Sequence, residues 1–399
     1  MINKIKDINI YNKRVLIRVD FNVPVINGVI KNSFRLKSSI DTINYCLSQN
    51  CSIVLMTHLG RPENEFDENY SVYPILDFLE TTFNVFVHYS EDCISDEAIA
   101  VSKNMLKKEI HLLENLRFHK EEINDNVLFA EKLSKHSDVY INDAFGTAHR
   151  THSSNSSILQ FFNKKDKCIG LLMEREFNYL SGNMDNGKYT LIVGGAKISS
   201  KLKLIDNFLD KSNIILIGGG MAFTFLKAQG YNIGKSIFEE NMIELAKEII
   251  NKAKNLKVQL ILPIDVVCSS LLSDDGETEI CKIEDIKNDY MGLDIGPETT
   301  MLFEMFIENS RNILWNGPLG AFEYFSFATG TQAISSAVRK SKIEINATTI
   351  IGGGDTVSAI ESTGDLTGFT HVSTGGGASL KLLSNDPLNI IEAWEKYDV

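Results

Sequence analysis

Four short apolar segments, each typical of a buried strand, are followed by an arginine. A guanidinium group donates a planar fork of hydrogen bonds that matches a carboxylate or a phosphate. The pattern therefore predicts a site for a small, multiply anionic ligand. The segments are 15–19, 52–56, 110–113 and 139–141, and the arginines are Arg35, Arg61, Arg117 and Arg150.

Three further polar side chains lie in the same loops. Asp20 and Asn22 could bind hydroxyl groups of the ligand, and His58 lies among the arginines. In an open parallel sheet, ligands bind beyond the carboxyl ends of the strands, so we expect these loops to share one rim. Taken singly, each arginine is better explained as a surface charge or an ion pair, and His58 as a structural histidine. The chain has only nine arginines, and the placement of four of them after predicted strands favours the site.

Five later strand ends carry glycines instead. Glycine lets the backbone approach a phosphate with its N–H groups pointing inward, and a helix N-terminus behind the loop adds partial positive charge. One such pair would be weak evidence, since tight turns use glycine, but five clusters predict a polyphosphate cradle. The clusters are Gly194-Gly195, Gly218-Gly219-Gly220, Gly317 with Gly320, Gly352-Gly353-Gly354 and Gly375-Gly376-Gly377.

Charged residues accompany the glycines. Lys197 and Lys201 are four residues apart, so both can face one ligand from a single helical turn. Asp355 is equally well explained as a magnesium ligand with several retained waters or as a helix N-cap with Thr356. Glu323 could accept hydrogen bonds from ribose, although its local sequence favours a surface acid.

The elements that must position these residues alternate between strand and helix patterns. This alternation predicts doubly wound α/β domains with right-handed crossovers, and 399 residues suggest two of them. A helix is predicted over 173–183, where the glycine-poor half ends: six of the 27 glycines precede residue 188. A second helix is predicted from Pro387 to the end of the chain.

Composition limits the function classes. A net charge of −12 argues against coating of nucleic acid or of an acidic membrane surface. The sequence contains no run of 18 apolar residues, so no membrane span is expected. The six cysteines form no CxxC pair and no histidine cluster lies near them at metal-ligand spacing, so free thiols of a reduced cytoplasm are expected.

Two nucleotide motifs can be rejected. Gly182 to Lys188 has the spacing of a phosphate-binding P-loop, but Tyr189 replaces the required Ser or Thr and a strand follows. No G-x-G-x-x-G follows a strand, which weakens a dinucleotide interpretation. An anion-binding half and a nucleotide-binding half together indicate phosphoryl transfer, with Arg35 and Lys197 flanking the transferred group. The lack of an obvious catalytic base suits a carboxylate acceptor, which needs no deprotonation.

Motifs spread over the whole chain resemble those of the phosphoglycerate kinase family, in that family's order. They include RVDFNVP (18–24), HLGRP (58–62), LLENLRFH (112–119), NDAFGTAHR (142–150), GGAK (194–197), GGGMAFTFL (218–226), MGLDIGP (291–297), WNGPLGAFE (315–323), GGGDT (352–356) and HVSTGGGASL (371–380). The resemblance implies reversible phosphoryl transfer from 1,3-bisphosphoglycerate to MgADP, giving 3-phosphoglycerate and MgATP, in a cytoplasmic monomer. An oxidoreductase on Rossmann domains and an inactive anion-binding protein are the alternatives.

The resemblance also implies an architecture. Two Rossmann-like domains, each a parallel sheet flanked by helices, are joined by an interdomain helix and a hinge that closes for the reaction. The expected limits are 1–172 for the phosphoglycerate domain, 173–188 for the interdomain helix and linker, and 189–387 for the nucleotide domain. The tail 388–399 is expected to pack back on the first domain.

Individual site residues follow from the same resemblance. Arg35, Lys197 and the amides near Gly376 match positions that stabilise the transferring phosphoryl group. The phosphoglycerate positions are Asp20, Asn22, Arg35, His58, Arg61, Arg117 and Arg150. The nucleotide positions are Gly194, Gly195, Lys197, Lys201, Gly219, Gly220, Gly292, Asn316, Pro318, Glu323, Gly353, Gly354, Asp355 and Thr356, with Asp355 on magnesium. The segment 151–162 is more polar than the family pattern, which puts its local packing in question.

Overall fold

The chain divides into two compact units in the computed structural model, which describes residues 2–63, 66–181, 187–362, 364 and 366–397. Unit 1 comprises Met1–Asn178 with Pro387–Val399, and unit 2 comprises Tyr179–Asp386. Part of the predicted linker (182–186) and the end of the predicted tail (398–399) lie outside the described residues. No helix among the described residues is long and apolar enough to cross a membrane.

Unit 1 is built on a six-stranded parallel sheet. Its strands follow runs of buried apolar residues, as expected for a sheet covered on both faces. The strands are β1 (Arg14–Val19), β4 (Ser52–Met56), β5 (Val87–Ser90), β6 (Ile110–Leu113), β7 (Val139–Asp143) and β8 (Lys167–Ile169), with a small hairpin of β2 (Val25–Ile26) and β3 (Val29–Ile30) beside them. The order in the sheet is β5-β6-β4-β1-β7-β8.

The helices of unit 1 cover this sheet. They are α1 (Phe34–Ser38), α2 (Ile40–Ser48), α3 (Ile75–Phe83), α4 (Asp96–Asn104), α5 (Lys120–Ile123), α6 (Val127–Ser134), most of α7 (Leu171–Leu180) and α15 (Asn389–Lys396). Helices α1 and α2 are separated at Ser39, whose N–H donates to Leu36 O at 3.3 Å and interrupts the α-helical ladder. Helix α7 begins two residues before the predicted 173.

The last helix, α15, packs within unit 1. The Ile390 N–H donates to Ala148 O at 3.0 Å, and Trp394 is 3% exposed against the ring of Tyr140. The buried Lys167 ammonium donates to Leu159 O at 3.0 Å and to Tyr397 O. The terminal segment is therefore joined to the sheet that carries the predicted arginine loops.

Unit 2 contains a second six-stranded parallel sheet and an antiparallel sheet. The strands are β9 (Tyr189–Val193), β10 (Ser212–Ile217), β11 (Gln259–Ile261), β12 (Asp265–Ser269), β13 (Thr278–Lys282), β14 (Met291–Ile295), β15 (Asn312–Asn316), β16 (Thr348–Gly352) and β17 (His371–Val372). The parallel sheet has the order β11-β10-β9-β15-β16-β17, and β13-β12-β14 form the antiparallel sheet. The sequence patterns did not predict the antiparallel sheet, because the residues of β13 are mostly exposed.

Helices again connect the parallel strands. They are α8 (Leu202–Phe208), α9 (Ala222–Ala228), α10 (Ile243–Asn255), α11 (Pro297–Glu308), α12 (Thr329–Ile345), α13 (Gly354–Glu361) and α14 (Gly377–Leu383). Two parallel sheets flanked by helices confirm the predicted fold class. In each sheet the chain places its early strands on one side of the first strand and its later strands on the other side. In open α/β sheets, a crevice of this kind is where ligands bind.

Candidate functional site

The crevice of unit 1 lies where β1 has β4 on one side and β7 on the other. The strands run in parallel register, with Arg18 opposite both Met56 and Asn142. Their carboxyl ends therefore lie side by side. The loops that follow carry Asp20 and Asn22, His58 and Arg61, and Arg150, as predicted from the order of strands and polar residues.

Arg35 is bound to the loop after β1. Its Nη1 donates to Asp20 Oδ2 at 3.0 Å and to the main-chain oxygen of Asn22 at 3.4 Å. The Asn22 side-chain oxygen in turn accepts the Gly60 N–H at 2.8 Å. The predicted residues of two neighbouring loops are thus joined by hydrogen bonds, and Asp20 is 2% exposed.

Arg117 is fixed by the loop between β6 and α5. Asn115 accepts the N–H groups of Arg117 and Leu59 at 3.0 and 3.1 Å, and Arg117 Nη1 donates to Gly60 O. Its Nε is buried with no hydrogen-bond partner among the described residues. A buried N–H group without a partner is available to donate to an anionic oxygen.

A cavity of about 410 Å³ opens beside these loops. Arg61, Arg117 and Arg150 line it, together with His119 and Lys120. Burial lowers the pKa of Arg117 and of Arg150, and the charges of the neighbouring arginines lower both further. Crowded cations that raise one another's free energy are stabilised by a bound anion.

His58 is 3% exposed and lies within the same field. Burial, followed by the charges of Arg18, Arg117, Arg150 and Arg35, holds its pKa well below the usual value. The imidazole is therefore neutral at physiological pH. The structure brings all seven residues predicted for the anion site into this one region of unit 1.

Three buried polar residues behind the site were missed by the sequence patterns. Arg18 is fully buried although it lies in a strand, Glu122 is fully buried in α5, and Ser154 is buried in the polar segment after Arg150. For Arg18, its place inside an apolar strand segment was a sequence feature that could have indicated burial. The partners of the other two are 32 and 136 residues away, so local sequence carried no sign of them.

In unit 2 the crevice lies between β9 and β15, and glycines let the loops that follow these two strands approach each other closely. The Gly194 N–H donates to Asn316 O at 3.1 Å and the Gly195 N–H to Pro318 O at 2.8 Å. A Cβ at Gly194 would lie 2.0 Å from Pro318 O. Gly317 has φ +108°, and its own Cβ would lie 2.1 Å from Gly194 O, so only glycine permits this approach.

Polar side chains converge on the same crevice. Lys201 Nζ donates to Asn316 Oδ1, and the Asn316 side-chain nitrogen is buried without a hydrogen-bond partner in the described chain. The Thr356 hydroxyl accepts the Gly317 N–H at 2.6 Å and donates to Gly352 O at 2.8 Å. Burial lowers the pKa of Lys201, and the charge of Asp355 opposes that shift.

The other predicted nucleotide residues differ in exposure. Lys197, Glu323 and Asp355 are exposed. The N-cap of α13 is Gly353, with φ +90°, and Asp355 lies inside the first turn, so the N-cap alternative for Asp355 is wrong. Gly292 packs instead of lining open space, since a Cβ there would lie 2.2 Å from the Phe223 ring.

The remaining glycines lie at loop ends of unit 2. A Cβ at Gly219, with φ +65°, would lie 2.7 Å from the Gly195 nitrogen, and one at Gly220 would lie 2.6 Å from Ile237. Gly376 has φ +50° and precedes α14, while Gly354 opens α13 with free space beside it. Close approach explains Gly219 and Gly220, whereas Gly354 and Gly376 have open space where a Cβ would lie.

One group among the described residues has metal-ligand character. Asp92, Cys93 and His119 bring one ligand atom each within 4.8 Å of one another, whereas the sequence spacing gave no histidine near any cysteine. The imidazole already pairs with Asp92 at 3.2 Å, and His119 also lines the arginine cavity. All six cysteines are free and buried.

Comparisons with known proteins agree with this geometry. The family model described as "Phosphoglycerate kinase" matches residues 5–386. The chain is 42% identical over 388 residues to phosphoglycerate kinase of Finegoldia magna, covering 96% of each chain. It is 43% identical over 374 residues to that of Prochlorococcus marinus strain MIT 9301, covering 93% of this chain and 92% of the relative. The structure of phosphoglycerate kinase from Coxiella burnetii is similar, with a TM-score of 0.84, 34% identity and 99% of each chain covered.

Proposed function

Because the chain belongs to the phosphoglycerate kinase family, we propose that it transfers a phosphoryl group reversibly from 1,3-bisphosphoglycerate to MgADP. The products are 3-phosphoglycerate and MgATP. The acyl phosphate P–O bond breaks, a bond forms to the terminal oxygen of ADP, and the carboxylate leaves. The observation that carries the proposal is the arginine cavity of unit 1, with the buried His58 in the field of the arginines that line it.

We assign the residues of this region by their chemistry. Arg61, Arg117 and Arg150 bind the phosphate of phosphoglycerate through bidentate hydrogen bonds. Asp20 and Asn22 bind its hydroxyl group, and His58 donates a neutral N–H. Arg35, which Asp20 holds at 3.0 Å, acts on the carboxyl end, where the phosphoryl group is transferred.

Unit 2 takes the nucleotide. Its glycine loops offer main-chain N–H groups, and Lys201, Asn316 and Thr356 supply side-chain contacts to the phosphates. Glu323 binds the ribose. Gly292 packs against Phe223 of α9, and its assignment to the nucleotide site rests on the family resemblance alone.

Magnesium binding with ADP or ATP is part of the proposal. The exposed Asp355 carboxylate fits an ion that takes oxygen ligands, keeps several waters and is shared with substrate phosphates. When bound, the ion neutralises phosphate charge. We also propose a cytoplasmic monomer, on the strength of the family.

Catalysis needs placed cations more than proton transfer, because the carboxylate of phosphoglycerate and the terminal phosphate of ADP exchange the phosphoryl group as anions. Negative charge develops on the equatorial oxygens of the transferring group. Arg35, Lys197 and the amides near Gly376 stabilise that charge. Since transfer is direct, the reaction requires groups of both units, and we propose a hinge closure that brings them together. Solution scattering with both substrates should show compaction, and unchanged scattering would argue against closure.

A coupled assay tests the reaction itself. The purified chain should phosphorylate 3-phosphoglycerate only when ATP and Mg²⁺ are both present. Absence of turnover by folded protein would overturn the proposal. An oxidoreductase would instead change the absorbance of a nicotinamide cofactor, and an inactive anion-binding protein would bind 3-phosphoglycerate without turnover.

A further inference from the structure

A buried chain of hydrogen bonds connects Glu122 to His58. The Ser154 hydroxyl lies 2.6 Å from Glu122 Oε1, and the Ser154 N–H donates to Oε2 at 3.0 Å. Arg18 Nε donates to the same hydroxyl oxygen at 2.9 Å. Arg18 Nη2 then lies 3.1 Å from His58 Nδ1, so four buried side chains run from α5 to the substrate site.

The direction of each bond follows from chemistry. A guanidinium group only donates and a carboxylate only accepts. The single hydroxyl hydrogen of Ser154 therefore points to Glu122, and its oxygen accepts from Arg18. At the other end, His58 Nδ1 must accept from Arg18, which leaves the imidazole hydrogen on Nε2.

The charges in this chain depend on one another. Arg18 is fully buried, and an isolated buried cation is costly. Burial alone would raise the pKa of Glu122, but the neighbouring His152 imidazole and the charge of Arg18 lower it. His152 Nδ1 lies 3.6 Å from Glu122 Oε1. Glu122 is thus the ionised partner that keeps Arg18 in place.

We propose that Glu122, Ser154 and Arg18 are positioning residues that hold His58 in its Nε2–H tautomer, so that it presents a donor to phosphoglycerate. The inference rests on the proposed role of His58 in substrate binding. It gives a function to the polar segment after Arg150, whose residues 152–157 are buried. Without these hydrogen bonds, the buried imidazole can adopt the other tautomer, which presents an unprotonated nitrogen to the anion and repels it.

The tautomer can be measured directly in the wild-type protein. Histidine labelled with ¹⁵N gives eight imidazole spectra, and the His58→Gln variant assigns the relevant one. We expect Nδ1 of His58 to be unprotonated and Nε2 to carry the hydrogen. A protonated Nδ1, with Nε2 bare, would overturn the proposal regardless of how any variant folds.

Substitution of Ser154 tests the role in binding. Ser154→Ala removes the bridging hydroxyl, and the affinity for 3-phosphoglycerate should fall about tenfold, while kcat changes less than KM and nucleotide affinity is unchanged. The His58 spectrum should show a mixture of tautomers. Ser153→Ala is the matched control, because that buried hydroxyl donates to Glu121 O at 2.7 Å, away from Arg18.

The outcomes separate this inference from the proposed function. Unchanged affinity and an unchanged His58 spectrum in Ser154→Ala, or equal losses in Ser153→Ala, would overturn the positioning role. If instead wild-type protein fails to bind 3-phosphoglycerate by calorimetry, the proposed function fails while the tautomer remains measurable. If His58→Gln binds 3-phosphoglycerate as the wild type does, the assignment of His58 itself is wrong.

Discussion

Unit 1 and unit 2 each carry a candidate anion site at the crevice of a parallel sheet, but the two candidate sites are built from different groups. Unit 1 uses charged side chains, such as Arg61 and Arg117, in front of a buried polar network. In unit 2, glycines such as Gly194 and Gly317 let main-chain segments approach one another closely, and their own N–H groups bond within the protein. Side chains can be removed one at a time with the fold intact, whereas an added Cβ displaces the backbone itself.

The largest expected effect comes from adding a methyl group at Gly194. In Gly194→Ala the new Cβ would lie 2.0 Å from Pro318 O and 2.7 Å from Gly317 O. We expect unit 2 to lose about 3 kcal/mol or more of unfolding free energy, and nucleotide binding with it. Denaturant unfolding and calorimetry measure both.

Gly354→Ala is the matched control for this substitution. Its Cβ would meet nothing within 4 Å, and Gly354 begins α13, so stability should stay within about 0.5 kcal/mol of wild type. Equal destabilisation of the two variants would mean that close backbone approach does not distinguish unit 2.

Lys197 is the side chain of unit 2 that we expect to matter most for rate. Lys197→Ala should lower kcat roughly a hundredfold or more while nucleotide still binds, because its charge acts on the transition state. Steady-state kinetics tests this, with Lys203→Ala as control, since Lys203 is an exposed partner of Asp386. A large rise in KM at unchanged kcat would contradict the role.

Arg61 tests the side-chain character of unit 1. Arg61→Ala should weaken 3-phosphoglycerate binding roughly tenfold to a hundredfold, by loss of charged hydrogen bonds. Stability and nucleotide affinity should not change, because the side chain is exposed. Titration calorimetry measures the affinity, and Arg175→Ala, which removes an exposed partner of Asp41, is the control. Undiminished affinity would remove Arg61 from the site.

Lowering the pH should destabilise unit 1 more than unit 2. Burial lowers the pKa of His111 to about 3 and of His136 to about 4, and both lie in unit 1. Below the usual histidine pKa, these imidazoles bind protons in the unfolded chain but not in the folded unit. Each histidine therefore lowers the free energy of unfolding by about 1.4 kcal/mol per pH unit as pH falls from about 6 to 4. Burial raises the pKa of Asp143 in unit 1 and of Asp294 in unit 2 to about 7. Both carboxyl groups favour the folded state as pH falls, which is opposite to the effect of the histidines. Because each unit contains one of them, they do not change the difference between the units.

The two tryptophans report this difference, since Trp394 lies in unit 1 and Trp315 in unit 2. Fluorescence of Trp315→Phe and Trp394→Phe variants should show a steeper loss of stability with acid for unit 1. His111→Gln should reduce that slope by about 1 kcal/mol per pH unit. Parallel slopes for the two units would exclude the histidine pair as the cause.

Much of this architecture could be predicted from local patterns. The strands at 52–56 and 110–113 have the predicted limits, and the arginines after them line one cavity. Parallel strands bring their carboxyl ends to one edge, so chain order alone indicated the rim. The roles of Arg35, His58 and the glycine loops stay proposals, supported by hydrogen bonds and close approaches that sequence could not supply.

Other features depended on distant residues. Strand β13 lacks an apolar run, since its pairing with β12 leaves one face in solvent. Glu122 and Ser154 look like surface residues until their pairing over 32 positions is seen. Asp92 and His119 meet across 27 positions. Local sequence cannot encode such partners, because a polar residue is equally suited to water and to a buried partner.

By itself, the sequence determined the α/β class, the family and the residue types at each strand end, because hydrophobic period and glycine or arginine placement are local properties. Only the tertiary structure decided which polar residues are buried together, such as Arg18 with Ser154 and His58. It also decided how closely Gly194 approaches Pro318. These are properties of distance and solvent exclusion, which arise only when separate segments pack against one another.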